Sequence, residues 1–324
     1  MAYIQTVTGR IAPEELGLTY THEHLLCDQR LCRQDGLRRP GSEGNLMVLD
    51  DIEVAIGEMR AIRALGADAL VEVTMQAWGR DLPGLRRISE ASGIKIIATS
   101  GFYVEHCHPG FVAEQSIEQL AEGLVREITE GVDRTGIRTG LLKSAISRPV
   151  VEGPEEKCAR AVARAQRATG ASITTHTSGG IRFEIPGGNI GMQLLDLFEA
   201  EGVDPRRVIV GHVDENADIR FLEAMCRRGA FVQFDVVGKW HWMLDETRAD
   251  LMAALADRGY IDHLLLSTDR ARKAELKSYG GIGYAYLLTH FVPLLRKAGL
   301  SEEDIRRIMV ENPRRALAIH PPPS

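Results

Sequence analysis

Eight times along its length the chain repeats one pattern: a short apolar, β-prone run, then a segment with apolar residues at helical spacing. The second such strand is expected at residues 69–74, the third at 94–100, the fourth at 137–143 and the fifth at 171–175. The last three are expected at 207–211, 230–236 and 263–267. Between them, apolar residues recur every three or four positions over 49–65, 82–91, 117–128, 155–169, 191–201, 218–228, 247–258 and 284–297. Ser301 with Glu302, Glu303 and Asp304 reads as an N-cap and acidic first turn, starting one more short helix. Strict β-then-α alternation, with no linker or low-complexity stretch, predicts an α/β fold: a single (βα)8 TIM barrel spanning residues 1–324. A two-domain doubly wound arrangement is the alternative, and it would usually show a composition break near the middle, which is absent.

In such a barrel chemistry sits where the strands end, at the C-terminal face. The first strand carries His22-Glu23-His24. Side chains two apart in a strand share a face, so both imidazoles project the same way and can grip one metal ion. A His-x-His carries little weight alone among ten histidines. Further strand ends add Lys143, His176, His212 and Asp269, with His176 and His212 one βα repeat apart. Imidazole and carboxylate donors suit zinc, manganese, iron or cobalt, and the lack of cysteine among them argues against a closed structural zinc site.

Lys143 leaves two readings open. It can snorkel to solvent at its strand end. Alternatively it is buried near cations, its pKa falls, and the neutral amine reacts with CO2 to give a carbamate that bridges two metals. Two divalent ions less the carbamate, Asp269 and a bridging hydroxide leave a site charge of about +1.

Composition excludes other classes. The net charge of −6 and pI near 6.0 give no footprint for nucleic acid, and no run approaches membrane-spanning length. The five cysteines are scattered with no Cys-x-x-Cys, which reads as a reduced chain in the cytoplasm rather than a disulfide framework. A small-molecule substrate is expected, with no nucleic-acid or membrane partner. A homodimer is the assembly left open.

These residues carry a resemblance. Thr21-His22-Glu23-His24-Leu25, Lys143, Thr175-His176-Thr177, Gly211-His212, Ser267-Thr268-Asp269 and Tyr279-Gly280-Gly281-Ile282-Gly283-Tyr284 resemble the phosphotriesterase family of the amidohydrolase superfamily, nearest its phosphotriesterase homology branch. The resemblance implies a binuclear metal centre: His22, His24 and Asp269 on the buried ion, His176 and His212 on the exposed one, carboxylated Lys143 between them. Some members of that branch have Glu at the bridging place; Lys here favours the carbamate. The implied activity is hydrolysis of a lactone, carboxylic ester or amide bearing an anionic group by a hydroxide held between two metals, most simply zinc. Asp269 would be both ligand and acid–base group. Organophosphate hydrolysis, or a non-catalytic metal-binding homologue, are the alternatives.

Substrate contacts follow the same resemblance. Tyr103 is similar to a tyrosine near the substrate in lactonase members. Lys239 and Arg272 fall where phosphosugar lactonases place anion-binding cations, although Glu275 stands where those enzymes have tyrosine; a solvated basic loop is the competing reading. Trp240, His241 and Trp242 are expected as pocket wall, and residues 178–191 as a lid. Glu72 either orients a ligand imidazole or makes a simple ion pair.

Overall fold

The computed structural model describes residues 2–32, 46–177, 189–215 and 218–321. Eight strands form one parallel sheet in sequence order: β1 (Thr19–Glu23), β2 (Ala69–Glu72), β3 (Lys95–Gly101), β4 (Leu141–Ala145), β5 (Ile173–His176), β6 (Val208–Val210), β7 (Phe231–Phe234) and β8 (Leu264–Leu266). The helices between them are α1 (Ile52–Ala64), α2 (Leu82–Ser92), α3 (Ile117–Thr129), α4 (Gly153–Thr169), α5 (Ile190–Ala200), α6 (Ile219–Arg228), α7 (Asp245–Asp257) and α8 (Val292–Lys297), the last entered through a π-helical turn at Leu287–Phe291. This is the expected (βα)8 architecture.

Local chemistry sets the helix limits. Asp51 caps α1 by accepting from Glu53 N and Val54 N, Asp81 caps α2 through Gly84 N, and Ser116 with Gln119 makes a capping box on α3. Gly93 and Gly170 end α2 and α4 in left-handed conformations that a Cβ would penalise.

Pairing is continuous from β1 through β8, and the remaining seam is closed by side chains. Glu23 is fully buried and accepts from Ser267 Oγ, Thr268 N and Thr268 Oγ1, each at 2.7 Å, and from Arg270 N at 2.9 Å. Thr21 Oγ1 donates to Leu266 O, and Asp269 N to His22 O. The central residue of His-Glu-His therefore latches the first strand to the segment that carries Asp269.

The fourth strand begins later than its sequence pattern suggests. Residues 137–140 form its approach, where Gly140 N donates to Ala98 O and a Cβ on Gly140 would lie 2.3 Å from Gln5 O. That close packing belongs to a hairpin missed by the sequence pattern, Ile4–Thr6 with Gly9–Ile11, which covers the N-terminal end of the barrel. Lys143 consequently lies in mid-strand, two residues above Leu141 on the same inward face. Leu141 joins Ile4, Leu16, Val71, Ile97, Ile209 and Leu265 in the apolar plug inside the barrel. A larger core fills the layer between sheet and helices.

One expectation is overturned. Cys32 and Cys107 are joined in a disulfide across 75 residues of sequence, their Cα atoms 4.4 Å apart. The bond ties the loop after β1 to the loop after β3. No spacing motif reveals a pair that only barrel closure brings together. Cys27, Cys158 and Cys226 remain free thiols. No described helix is long and apolar enough to cross a membrane.

Candidate metal centre

Every residue singled out as a ligand reaches the same cavity at the C-terminal mouth, which has a volume of about 190 Å³ and is lined by His22, His24, Lys143, His176, His212 and Asp269. His22 ends up facing inward because it lies within β1, while His24 follows the strand by one residue. His176 is the last residue of β5. His212 and Asp269 follow β6 and β8 and take φ of 56° and 47°. Left-handed backbone is costly for non-glycine residues and persists where surrounding structure imposes it, often at functional sites. Here it turns both side chains inward. Gly211 permits the turn before His212, because a Cβ there would lie 2.3 Å from Thr175 O.

The donor atoms crowd together. Asp269 Oδ1 lies 3.7 Å from His22 Nε2 and 3.4 Å from His24 Nε2, and His212 Nε2 lies 2.7 Å from His176 Nδ1. His22, His24 and Asp269 offer ligand atoms all within 4.8 Å of one another, as do His22, His212 and Asp235.

Asp235 is the site residue that sequence reasoning missed. It follows β7 directly, and its carboxylate meets His212 Nδ1 at 2.7 Å and His22 Nδ1 at 3.1 Å. It also accepts from His212 N and Gln233 Nε2. Its signal was available: it ends its strand just as His176 does. Asp214, held by Arg248 Nε, receives Asp235 N and Val236 N and fixes this strand end from behind. Glu72 acts at one remove from the imidazole. It accepts from Thr74 Oγ1 at 2.5 Å, and that hydroxyl contacts His24 Nδ1 at 2.6 Å.

Electrostatics favour neutral imidazoles with one exception. Burial, reinforced by Lys143, lowers His22 to about 4; burial, reinforced by His212 and then Lys143, takes His176 well below its usual range; burial also lowers His24. Burial opposes charge on His212 too, but Asp235 outweighs it and carries that ring up to about 9. Lys143 is 1% exposed, and its Nζ makes no hydrogen bond or ion pair among the described residues, lying 5.9 Å from the centre of the Tyr103 ring. Burial brings it down to about 8 against the pull of Asp269, Asp235 and Glu72. The snorkelling reading of Lys143 is excluded.

The substrate-side residues divide. Tyr103 lines the cavity, with its hydroxyl 3.3 Å from His176 Nε2 and its ring against Trp78. Lys239 donates to Asp269 Oδ2 at 2.5 Å and lies 4.0 Å from Glu275 Oε1, so its charge is committed within the protein. Arg272 also lines the cavity, is exposed, and makes no ion pair among the described residues. Glu275 supports this loop by accepting from Ala271 N and Arg272 N. His241 and Trp242 line the cavity as expected. Trp240 is turned away, with Nε1 on Asp245 Oδ2. Of the proposed lid, residues 178–188 lie outside the described residues.

The site fits a metal ion on its own evidence. The Nε2 atom of buried His22 has no hydrogen-bond partner among the described residues, and two imidazole nitrogens of His176 and His212 face each other. A cation satisfies such lone pairs together, and nitrogen and oxygen donors without thiolate leave room for substrate. A donor set of that kind at the catalytic end of a (βα)8 barrel is the constitution of a metal-dependent hydrolase, and this protein is one. Comparison with known proteins narrows the class. The phosphotriesterase family profile matches residues 2–317, and the chain belongs to that family. It is 35% identical over 299 residues to the phosphotriesterase homology protein of Escherichia coli, covering 92% of this chain and 96% of that one. It is 30% identical over 349 residues to the N-acetyltaurine hydrolase of Rattus norvegicus, covering 97% of each. Its structure matches a lactonase from Listeria monocytogenes with a TM-score of 0.87 at 26% identity, covering 98% of this chain and 99% of that one.

Proposed function

We propose that the protein is a binuclear hydrolase of amides, carboxylic esters or lactones that carry an anionic group. The observation that supports it most is the convergence of four imidazoles and Asp269 on a buried, unpaired Lys143. In this reading His22, His24 and Asp269 would hold one divalent ion and His176 and His212 the other, with Lys143, as its CO2-derived carbamate, a ligand to both. Carboxylation suits an amine that burial has already brought to about 8. When bound, the ions supply a nucleophilic hydroxide at neutral pH and polarise the scissile bond.

The chain's own residues do the rest. Asp235 orients His22 and His212 through their Nδ1 atoms, leaving each Nε2 to face the centre. Tyr103 positions His176 from the opposite side. Asp269 Oδ2 takes the proton released during attack, and Lys239 Nζ holds that carboxylate in place. Arg272 is the cation left to read an anionic substituent at the mouth. The relative named for N-acetyltaurine acts on an amide with a sulfonate, which supports this substrate class. The short polar segment Arg270-Ala271-Arg272-Lys273 disfavours the apolar leaving group of an organophosphate triester. The test is a screen of N-acyl amino acids and N-acyl sulfonates, lactones and neutral aryl triesters with metal-loaded protein. Faster turnover of neutral triesters than of every anionic amide, ester and lactone would overturn the substrate reading.

A further inference from the structure

We propose that a cleft on the N-terminal face of the barrel, remote from the metal site, binds a small phosphate- or sulfonate-bearing molecule. The cleft has a volume of about 380 Å³ and lies between the turn of the N-terminal hairpin, α2 and the approach to β4. Three arginines line it, one from each of these elements: Arg10, Arg86 and Arg138. Among the described residues no carboxylate lines it. None of the three makes an ion pair among the described residues, in a chain whose net charge is −6. Like charges gathered without a counter-charge are unfavourable, and an anion is the partner this arrangement lacks.

The guanidinium groups are held with donors to spare. Arg10 stacks on the Tyr3 ring at 4.1 Å, which uses its face and leaves its in-plane N–H groups available. Arg86 Nε donates to Val7 O at 3.0 Å, which orients the group and leaves its terminal nitrogens unbonded among the described residues. Arg138 makes no side-chain hydrogen bond among the described residues and is half-buried. Val7 N bonds Ile96 O and so anchors the hairpin turn to the base of β3. Guanidinium forks match tetrahedral oxyanions through paired N–H donors. The cleft is larger than a bare phosphate ion needs, which favours an organic phosphate or sulfonate.

Calorimetric titration of the metal-loaded protein with inorganic phosphate and with glycerol phosphate tests this, together with hydrogen-exchange mass spectrometry to locate the bound ion. Exchange should slow in peptides covering residues 4–11 and 134–140. Arg138→Ala should abolish that protection and weaken binding at this face at least tenfold, with Arg138→Lys recovering part of it. Arg10→Ala, at an exposed position, should weaken binding in the same direction without touching the core. Tighter binding of glycerol phosphate than of inorganic phosphate identifies an organic ligand; equal binding points to the free ion, and both support an oxyanion site. No protection on this face with either probe, protection confined to the metal-site mouth, or unchanged protection in Arg138→Ala would overturn it. These peptides report on the N-terminal face alone, so the outcome is independent of the catalytic reading.

Discussion

Leu141 and Lys143 share a strand and a face, yet they belong to opposite ends of the barrel. Leu141 sits in a dry plug of aliphatic side chains that are all fully satisfied by packing. Lys143 sits above it among the imidazoles, an amine with no ion pair among the described residues, and nearby His212 and Asp269 hold left-handed backbone. The plug end is held by apolar packing. The other gathers desolvated charge and left-handed backbone around an amine that makes no ion pair among the described residues. Stability and chemistry are thereby separated by one turn of the β pleat, and the separation can be tested two residues apart.

The largest effect expected is on activity at the upper position. Lys143→Ala should cut hydrolysis at least about a thousandfold, roughly 4 kcal/mol of transition-state stabilisation. Its metal-free thermal unfolding should be unchanged or improved, because an unpaired buried ammonium is gone. Short carboxylic acids should restore part of the activity by replacing the bridging oxygens. Normal turnover in this variant would break the comparison outright.

Leu141→Ala should do the reverse. Loss of a buried leucine in a plug that cannot collapse costs about 2–5 kcal/mol, read in denaturant unfolding. The kcat/KM of the folded fraction should stay within a few fold of wild type. A large fall in kcat/KM with stability intact would show that the two ends are not separable.

At the rim the effect is smaller and selective. Arg272→Ala should lower kcat/KM for an anionic substrate by about ten- to a hundredfold, since one charge-assisted contact is worth about 1.5–3 kcal/mol. A neutral analogue should lose little, and Arg272→Lys should recover only part because the guanidinium fork is absent. Equal losses for both substrates would assign Arg272 to loop support. Lys239→Ala gives no such selectivity, because that lysine is bonded to Asp269.

Much of this was legible in sequence, for a physical reason. Strand and helix periods come from burial on one face, and ligand residues cluster where strands end, so the barrel and His22, His24, His176, His212 and Asp269 could be read from pattern and position. Asp235 was missed because a carboxylate after an apolar run has many ordinary explanations until its two imidazole partners are seen. Glu23 was passed over because its work is across the seam, with residues more than two hundred positions away. The hairpin at Ile4–Ile11 and the late start of β4 depend on backbone approach at Gly140, which side-chain periodicity does not record. Lys239 was assigned to substrate by its likeness to the anion-binding cations of phosphosugar lactonases; it lines the cavity, and its ion pair with Asp269 is set by three-dimensional packing that the likeness does not record.

The smallest effect concerns the thiols, where burial is the largest influence. It pushes Cys158 and Cys226 up to about 12 and Cys27 higher still. A raised thiol pKa means that deprotonation comes late, so little thiolate forms at Cys158 or Cys226 at pH 8. Alkylation of native protein at pH 8 should therefore be negligible. Unfolding without reductant should expose three reactive thiols, and unfolding with reductant five, since Cys32 and Cys107 are joined. Five without reductant would remove the disulfide from the account.

The central claim is that the polar end of the barrel is incomplete without two metal ions. Metal analysis of protein purified from bicarbonate- and zinc-supplemented medium, set beside activity before and after chelation, tests it most directly. Two divalent ions per chain are predicted, with hydrolysis abolished by chelation and restored by metal, and with Lys143→Ala holding fewer than two. A fully active protein with no more than one ion per chain would contradict the binuclear reading.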